Sequence, residues 1–307
     1  MSERAPAVSK VVSMRDAIAR FVHDGDTVVI EGFTHLICFA AGHEIIRQKR
    51  RELVLCRLTP DLIVDQLIAA GCARKLVFSW AGNPGVGALH AFRRAVETKT
   101  PPLEIEEYSH FGMVARFSAG AAHLPFWPLR DYQGTDIPSV NPSIRQVTCP
   151  FTGESLAAVP ALNPDVTIVH AQRADMEGNT QIWGLLGVQK EAAFASRHVI
   201  VVVEELVDTS IVRADPNRTL IPGMIVDAVV VEPWGAHPSY AQGHYDRDNE
   251  FYVAWEKISR DSAALANYLD EFVLGVEDRA AYLALQPGLT TRLAATPRVC
   301  AGVSYGY

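Results

Sequence analysis

The stretch Val11–Gly42, VVSMRDAIARFVHDGDTVVIEGFTHLICFAAG, carries the pattern from which the architecture is read. Ser13 followed by Asp16 has the form of a helix N-cap, because a serine oxygen there satisfies an amide that the first turn leaves unpaired. Met14, Ala17, Ile18, Phe21 and Val22 then return at helical spacing until Asp24-Gly25-Asp26 stops the helix. Thr27 to Ile30 reads as the first strand. The residues after it, Glu31-Gly32-Phe33-Thr34-His35, pack poorly and form a good loop for meeting a ligand; helical spacing resumes over Ala40 to Arg50.

Outward from this stretch the same alternation repeats. Leu53 to Arg57 is a strand, Thr59-Pro60 opens a helix through Ala70, and Lys75 to Ser79 is a strand. Gly82 to Gly85 is a loop, Gly87 to Glu97 a helix, Leu103 to Glu106 a strand and His110 to Ala121 a helix. Strand and helix in alternation predict an α/β fold with an open, mostly parallel sheet covered by helices. Pro125 to Gly153 holds five prolines and little periodicity, and reads as an excursion over the surface. Beyond it Val166–His170, His198–Val203 and Val226–Val231 are strand candidates; Val188–Ala195 is a helix and Trp255–Phe272 a longer one, broken near Ser259. Residues 1–11 read as a tail and 12–307 as a single domain, with 125–165 as a candidate smaller lobe.

Composition narrows the class. The chain has 307 residues, 49% of them hydrophobic and 21% charged, which is enough apolar material for a large core. Its net charge is -7 and it has no basic block, so nucleic acid and anionic membrane are poor partners. Five cysteines, Cys38, Cys56, Cys72, Cys149 and Cys300, are scattered without a C-x-x-C pair, and point to reduced thiols in a cytoplasm rather than to a metal site. No apolar run approaches the ~18 residues of a membrane span, and the N-terminus lacks an export signal.

Candidate ligand groups cluster at strand ends. Gly25, Gly32, Gly82, Gly85 and Gly87 lie where an open α/β sheet places its binding crevice, and each is also an ordinary turn glycine. Neither G-x-G-x-x-G nor a Walker lysine is present. Glu31, Glu106-Glu107 and Glu204-Glu205 follow strands and have the chemistry to bind or polarise a carbonyl compound; a solvated salt-bridge role is the plain alternative. His35, His110, His170 and His237 fall in loops or at element ends, outside any HExxH motif or nucleophile elbow.

The landmarks MRDAIARFVHDGD, EGFTH, GNPGVG, IEEYSH, DVTIVHAQRADMEGNTQIWG, IPGMIVDAVVVEPWGAHPS and YDRDN, in that order, resemble the class I CoA-transferase family, closest to the glutaconate CoA-transferase alpha subunit. The resemblance runs from about Val12 to Leu293. It implies a NagB/RpiA/CoA-transferase-like fold and a homologous beta subunit that supplies the nucleophilic glutamate, which becomes a glutamyl-CoA thioester. It also implies CoA as substrate, with no metal and no tightly bound cofactor. On this chain it implies a substrate-binding loop at Glu31, Gly32, Phe33, Thr34 and His35, a second at Asn83, Gly85 and Gly87, and a strand end reaching Ser109.

One departure stands out. Where glutaconate CoA-transferase alpha chains resemble G-G-F-T, this chain has Glu31-Gly32-Phe33-Thr34; a carboxylate there repels a dicarboxylate unless an arginine pairs with it. Related hydrolases cleave a ring carbon–carbon bond in a steroid-derived CoA thioester and are thought to use an alpha-subunit glutamate, which makes Glu106 or Glu31 the acid–base candidate in that alternative. The apolar run Leu36-Ile37-Cys38-Phe39 either widens the acyl pocket for a bulkier, more apolar group than glutaconate or packs the start of the next helix.

Overall fold

The computed structural model describes residues 9–99 and 101–295; of the expected tail, residues 1–8 lie outside the described residues, as does Cys300. The first half runs α1 (Met14–Phe21), β1 (Thr27–Glu31), α2 (Phe39–Arg47), β2 (Leu53–Cys56), α3 (Leu62–Ala69), β3 (Ala73–Phe78), α4 (His90–Glu97), β4 (Glu104–Glu107) and α5 (His110–Ala121). Then come β5 (Phe126–Leu129), α6 (Ile137–Val140), β6 (Arg145–Thr148) and β7 (Ser155–Pro160). The second half holds β8 (Val166–Ala174), β9 (Thr180–Gln181), α7 (Gln189–Ala195), β10 (His198–Leu206), α8 (Thr209–Ala214), β11 (Thr219–Ile221) and β12 (Ala228–Val231). It closes with the helices α9 (Asn249–Arg260), α10 (Ser262–Leu269), α11 (Arg279–Ala284) and α12 (Leu289–Arg292).

The α1 helix forms as its sequence dictates. Ser13 accepts the Asp16 amide at 3.1 Å, and Met14, Ala17, Ile18 and Phe21 supply the buried face. Parallel pairing then sets the order β12-β10-β8-β1-β2-β3-β4. β9 and β11 add a short antiparallel extension where β8 outruns β1. Strand β1 lies inside this sheet, so both its faces are covered: Val28 and Ile30 join the core with α1, α2 and α3, while Val29 packs with Met113 and Phe117 of α5. That is why its apolar residues run consecutively instead of alternating with polar ones.

Several boundaries move. The helix expected from Gly87 begins at His90, because Asn83 and Gly87 close a tight turn through paired backbone hydrogen bonds of 3.0 and 3.1 Å. Asp61, rather than Thr59, caps α3. The long C-terminal helix starts at Asn249, and it breaks at Asp261 rather than Ser259, where the Asp261 carboxylate takes the Ala263 and Ala264 amides and opens a new helix. Within 125–165 the expected excursion contains a three-stranded antiparallel sheet in the order β5-β7-β6. Among the described residues no helix is long and apolar enough to cross a membrane.

Because the seven main strands are parallel, their C-terminal ends share one edge. The loops after β1, β2, β3 and β4 therefore emerge together, and an open α/β sheet holds its ligand crevice there.

Candidate functional site

The loop after β1 is held in an unusual shape by its own backbone. A Cβ on Gly32 would sit 2.7 Å from the carbonyl oxygens of both His35 and Leu36, so only glycine fits. Thr34 and Leu36 adopt left-handed backbone angles, φ 57 and 56. His35 clamps the turn from inside: its Nδ1 donates to the Leu185 carbonyl at 3.0 Å, and its Nε2 accepts the Gln242 amide at 3.0 Å. Burial pushes its imidazole down to about 4, and the ring is a neutral tether inside the fold. Phe33 stays partly exposed at the mouth. Leu36, Ile37, Cys38 and Phe39 are all 0% exposed, so the apolar run packs the core and does not widen a pocket.

Glu31 ends β1 beneath this loop and is buried. Burial raises its carboxyl above the ordinary carboxylate range, against the opposing pull of the Arg57 charge and the Gly32 and Val188 amides. Arg57 does not pair with it. The guanidinium grips Asp61 at 2.7 Å and the Gly32 carbonyl at 2.7 Å, so the charge next to Glu31 is already committed. A Cβ at Gly187 would meet Glu31 Oε1 at 2.9 Å and Phe33 Cβ at 3.2 Å, which places the Gly184–Gly187 segment directly over this corner.

The loop after β3 and the start of α5 complete the corner. Ser109 caps α5 by accepting the Gly112 amide at 2.9 Å, and its own hydroxyl donates to Asp131. His110, the first residue of that helix, is exposed and presents its ring edge-on to Phe33, with centroids 6.0 Å apart. Its Nδ1 lies 3.0 Å from Ser79 Oγ. The Ser79 hydroxyl donates to the Leu58 carbonyl at 2.6 Å, so it accepts from His110. In the neutral ring Nδ1 therefore carries the hydrogen and Nε2 the lone pair. Trp80, Phe111, Leu185 and Leu186, neighbours in sequence of these groups, are each exposed.

The other expected residues are placed differently. Asn83 is buried with its amide donating to the Tyr252 carbonyl at 2.7 Å, Gly85 makes the turn at φ 74, and Gly87 lies against Glu256 of α9. Glu106 sits on β4 among Lys75 at 2.7 Å, Arg116 at 3.0 Å and the Tyr108 hydroxyl. Burial works to raise its carboxyl, yet these donors prevail and hold it below the ordinary range. Glu204 lies inside the fold, bonded to His170 and Tyr245 at 2.6 Å each and to the Trp234 amide at 2.7 Å. His237 is likewise interior, between Tyr282 and Asp248.

The structure thus brings Glu31, Gly32, Phe33 and Ser109 to one corner with His110, which sequence reading marked only as a histidine near an element end, and adds Arg57, Asp61, Ser79 and Gly187, which it did not single out. The accessible signal was a serine cap followed by a histidine directly after a strand. Among the described residues no group of three His, Cys, Asp or Glu is set to hold a metal. Burial pushes the thiols of Cys38 and Cys56 up to about 12 and that of Cys72 to about 11, far from a nucleophilic thiolate.

Comparison with known proteins gives this geometry its context. Residues 11–232 match the family described as Coenzyme A transferase. The chain is 54% identical over 272 residues to one of the subunits of the 3-oxoadipate CoA-transferase of Pseudomonas knackmussii, covering 88% of this chain and 96% of that one. It is 29% identical over 283 residues to the cholesterol ring-cleaving hydrolase IpdA subunit of Mycobacterium tuberculosis, covering 87% and 94%. The crystal structure of glutaconate coenzyme A-transferase from Acidaminococcus fermentans superposes with a TM-score of 0.88 at 33% identity, covering 94% of this chain and 96% of that one.

Proposed function

This chain belongs to the class I CoA-transferase family as an alpha-type subunit with CoA-transfer chemistry, and from that premise we propose that it works with a homologous beta-type chain that supplies the reacting glutamate. The partner carboxylate attacks the donor thioester carbonyl and expels CoA thiolate, leaving a mixed anhydride. The thiolate then attacks the glutamyl carbonyl, which frees the donor acid and leaves a glutamyl-CoA thioester to be passed to the acceptor carboxylate. This chain contributes the acyl seat: Phe33 against the acyl chain, and Thr34 and its neighbours around the reacting oxygen. Glu31, Gly32 and His35 shape that seat from beneath. Asn83, Gly85 and Gly87 hold the neighbouring turn, and Ser109 anchors His110.

The observation that supports this most is the character of the corner itself. It offers the partly exposed Phe33 ring edge-to-face with the exposed His110, while its own candidate nucleophiles are engaged: the Ser79 hydroxyl donates to the Leu58 carbonyl, and the buried thiols are held protonated. Glu106 is a poor acid–base group for the hydrolytic alternative, since three donors stabilise its ionised form. The acyl group is proposed to be a 3-oxo dicarboxylic one, in keeping with the P. knackmussii relative. Glu31 is buried beneath the Gly184–Gly187 segment and presents no exposed carboxylate to such a substrate.

The test is co-expression with the candidate partner, incubation with an acyl-CoA, borohydride reduction and peptide mass mapping. A reduced glutamate on the partner is expected. Turnover without any adduct, or an adduct on this chain, would refute the assignment. Kinetics over dicarboxylic, 3-oxo and cyclic acyl-CoAs test the substrate class; highest specificity for a cyclic acyl-CoA contradicts it.

A further inference from the structure

We propose that His110 is a general base that activates water, giving the two-chain enzyme an acyl-CoA hydrolase activity that shows when no acceptor acid is present. The inference shares its site with the transfer reading but needs no partner glutamate. It starts from the tautomer. Because the Ser79 hydroxyl donates its hydrogen bond to the Leu58 carbonyl, it can only accept from His110, so the neutral imidazole keeps its lone pair on Nε2. Among the described residues no hydrogen bond engages that nitrogen, and the ring is exposed beside Phe33, the group assigned to the acyl chain. A histidine whose far nitrogen is oriented by a hydrogen bond, and whose near nitrogen is free at a substrate site, has the arrangement of a general base.

The alternative carboxylates lack that freedom. Glu106 is bound by Lys75, Arg116 and Tyr108, and Glu31 is buried beneath the Gly184–Gly187 segment. The chemistry balances without further reagents. A water O–H bond breaks as its proton moves to His110 Nε2, and the new C–O bond forms at the thioester carbonyl. The tetrahedral intermediate collapses with cleavage of the C–S bond, and the departing thiolate takes the proton from the imidazolium. The products are the free acid and CoA thiol, and His110 returns to its starting tautomer.

The experiment uses the reconstituted two-chain complex with a 3-oxoacyl-CoA and a thiol reagent, first without any acceptor acid. The wild-type complex is expected to release CoA thiol above the uncatalysed rate. His110→Ala is expected to lower that rate about 100-fold or more, with added imidazole restoring it saturably. Ser79→Ala, which removes the orienting acceptor, is expected to lower it about 10-fold. The inference is overturned if the wild-type complex shows no hydrolysis, or if either variant keeps the wild-type rate. It is also overturned if the His110→Ala loss resists imidazole in a complex of normal mass and melting temperature. Adding an acceptor carboxylate to the wild-type complex reads transfer separately. Hydrolysis without transfer refutes the transfer reading and leaves this one standing; transfer without hydrolysis does the reverse.

Discussion

Two glycine-bearing turns leave the same edge of the sheet, Glu31–Thr34 after β1 and Asn83–Gly87 after β3, and on paper they are equally good ligand loops. The first is folded by its own backbone and tethered by His35, which leaves the Phe33 ring at the mouth. The second is taken up by a distant helix: Asn83 bonds the Tyr252 carbonyl and Gly87 lies against Glu256. Glycine marks where a chain turns. What packs on the turn decides whether it remains free to meet a ligand.

Substitution at the two glycines probes this difference most strongly. In Gly32→Ala the new methyl meets two backbone oxygens at 2.7 Å, neither able to move without remaking the loop. A stability loss of about 3–4 kcal/mol is expected in denaturant melts. In Gly87→Ala the obstacle is Glu256 Oε2 at 2.4 Å, the end of a flexible side chain, and the expected loss is only about 1 kcal/mol. Equal losses at the two sites would remove the distinction.

Acid gives an effect between these two. His35 titrates near 6.5 when unfolded and at about 4 in the fold, so its contribution is full above 6.5 and is lost as pH falls toward 4. The loss amounts to at most about 3 kcal/mol. Protonation puts a hydrogen on Nε2, where the Gln242 amide already donates. Hydrogen exchange measured from pH 7 to 4.5 should therefore rise first in the segments around Leu185 and Gln242, with Asn83–Gly87 unaffected. Simultaneous loosening of both turns would show that His35 is not the local tether.

How much of this was legible in the sequence follows from the range of the interactions. The α1–β1 unit could be read because a capped, periodic helix and a doubly buried strand are local patterns. β5, β6 and β7 were all missed: they are four to six residues long, β5 contains Pro128, and each is specified by antiparallel pairing within the small sheet. The Phe33 loop stood out because aromatic and hydroxyl residues directly after a strand are poor packing material. The Ser79–His110 bond spans 31 residues and is created by parallel pairing of β3 with β4, so neither residue carries it alone. Glu31 and Glu106 looked alike at strand ends. Only the fold sets Lys75 and Arg116 on one and buries the other.

The claim on which the rest depends is that Phe33 seats the acyl group, and Phe33→Ala in the two-chain complex tests it most directly. A ring that buries an acyl chain contributes about 1.5–3 kcal/mol, so kcat/KM for the acyl-CoA should fall about 10- to 150-fold. The mass and melting temperature of the complex should stay at wild-type values. Unchanged kcat/KM, or a loss matched by failure of the two chains to assemble, would contradict the account.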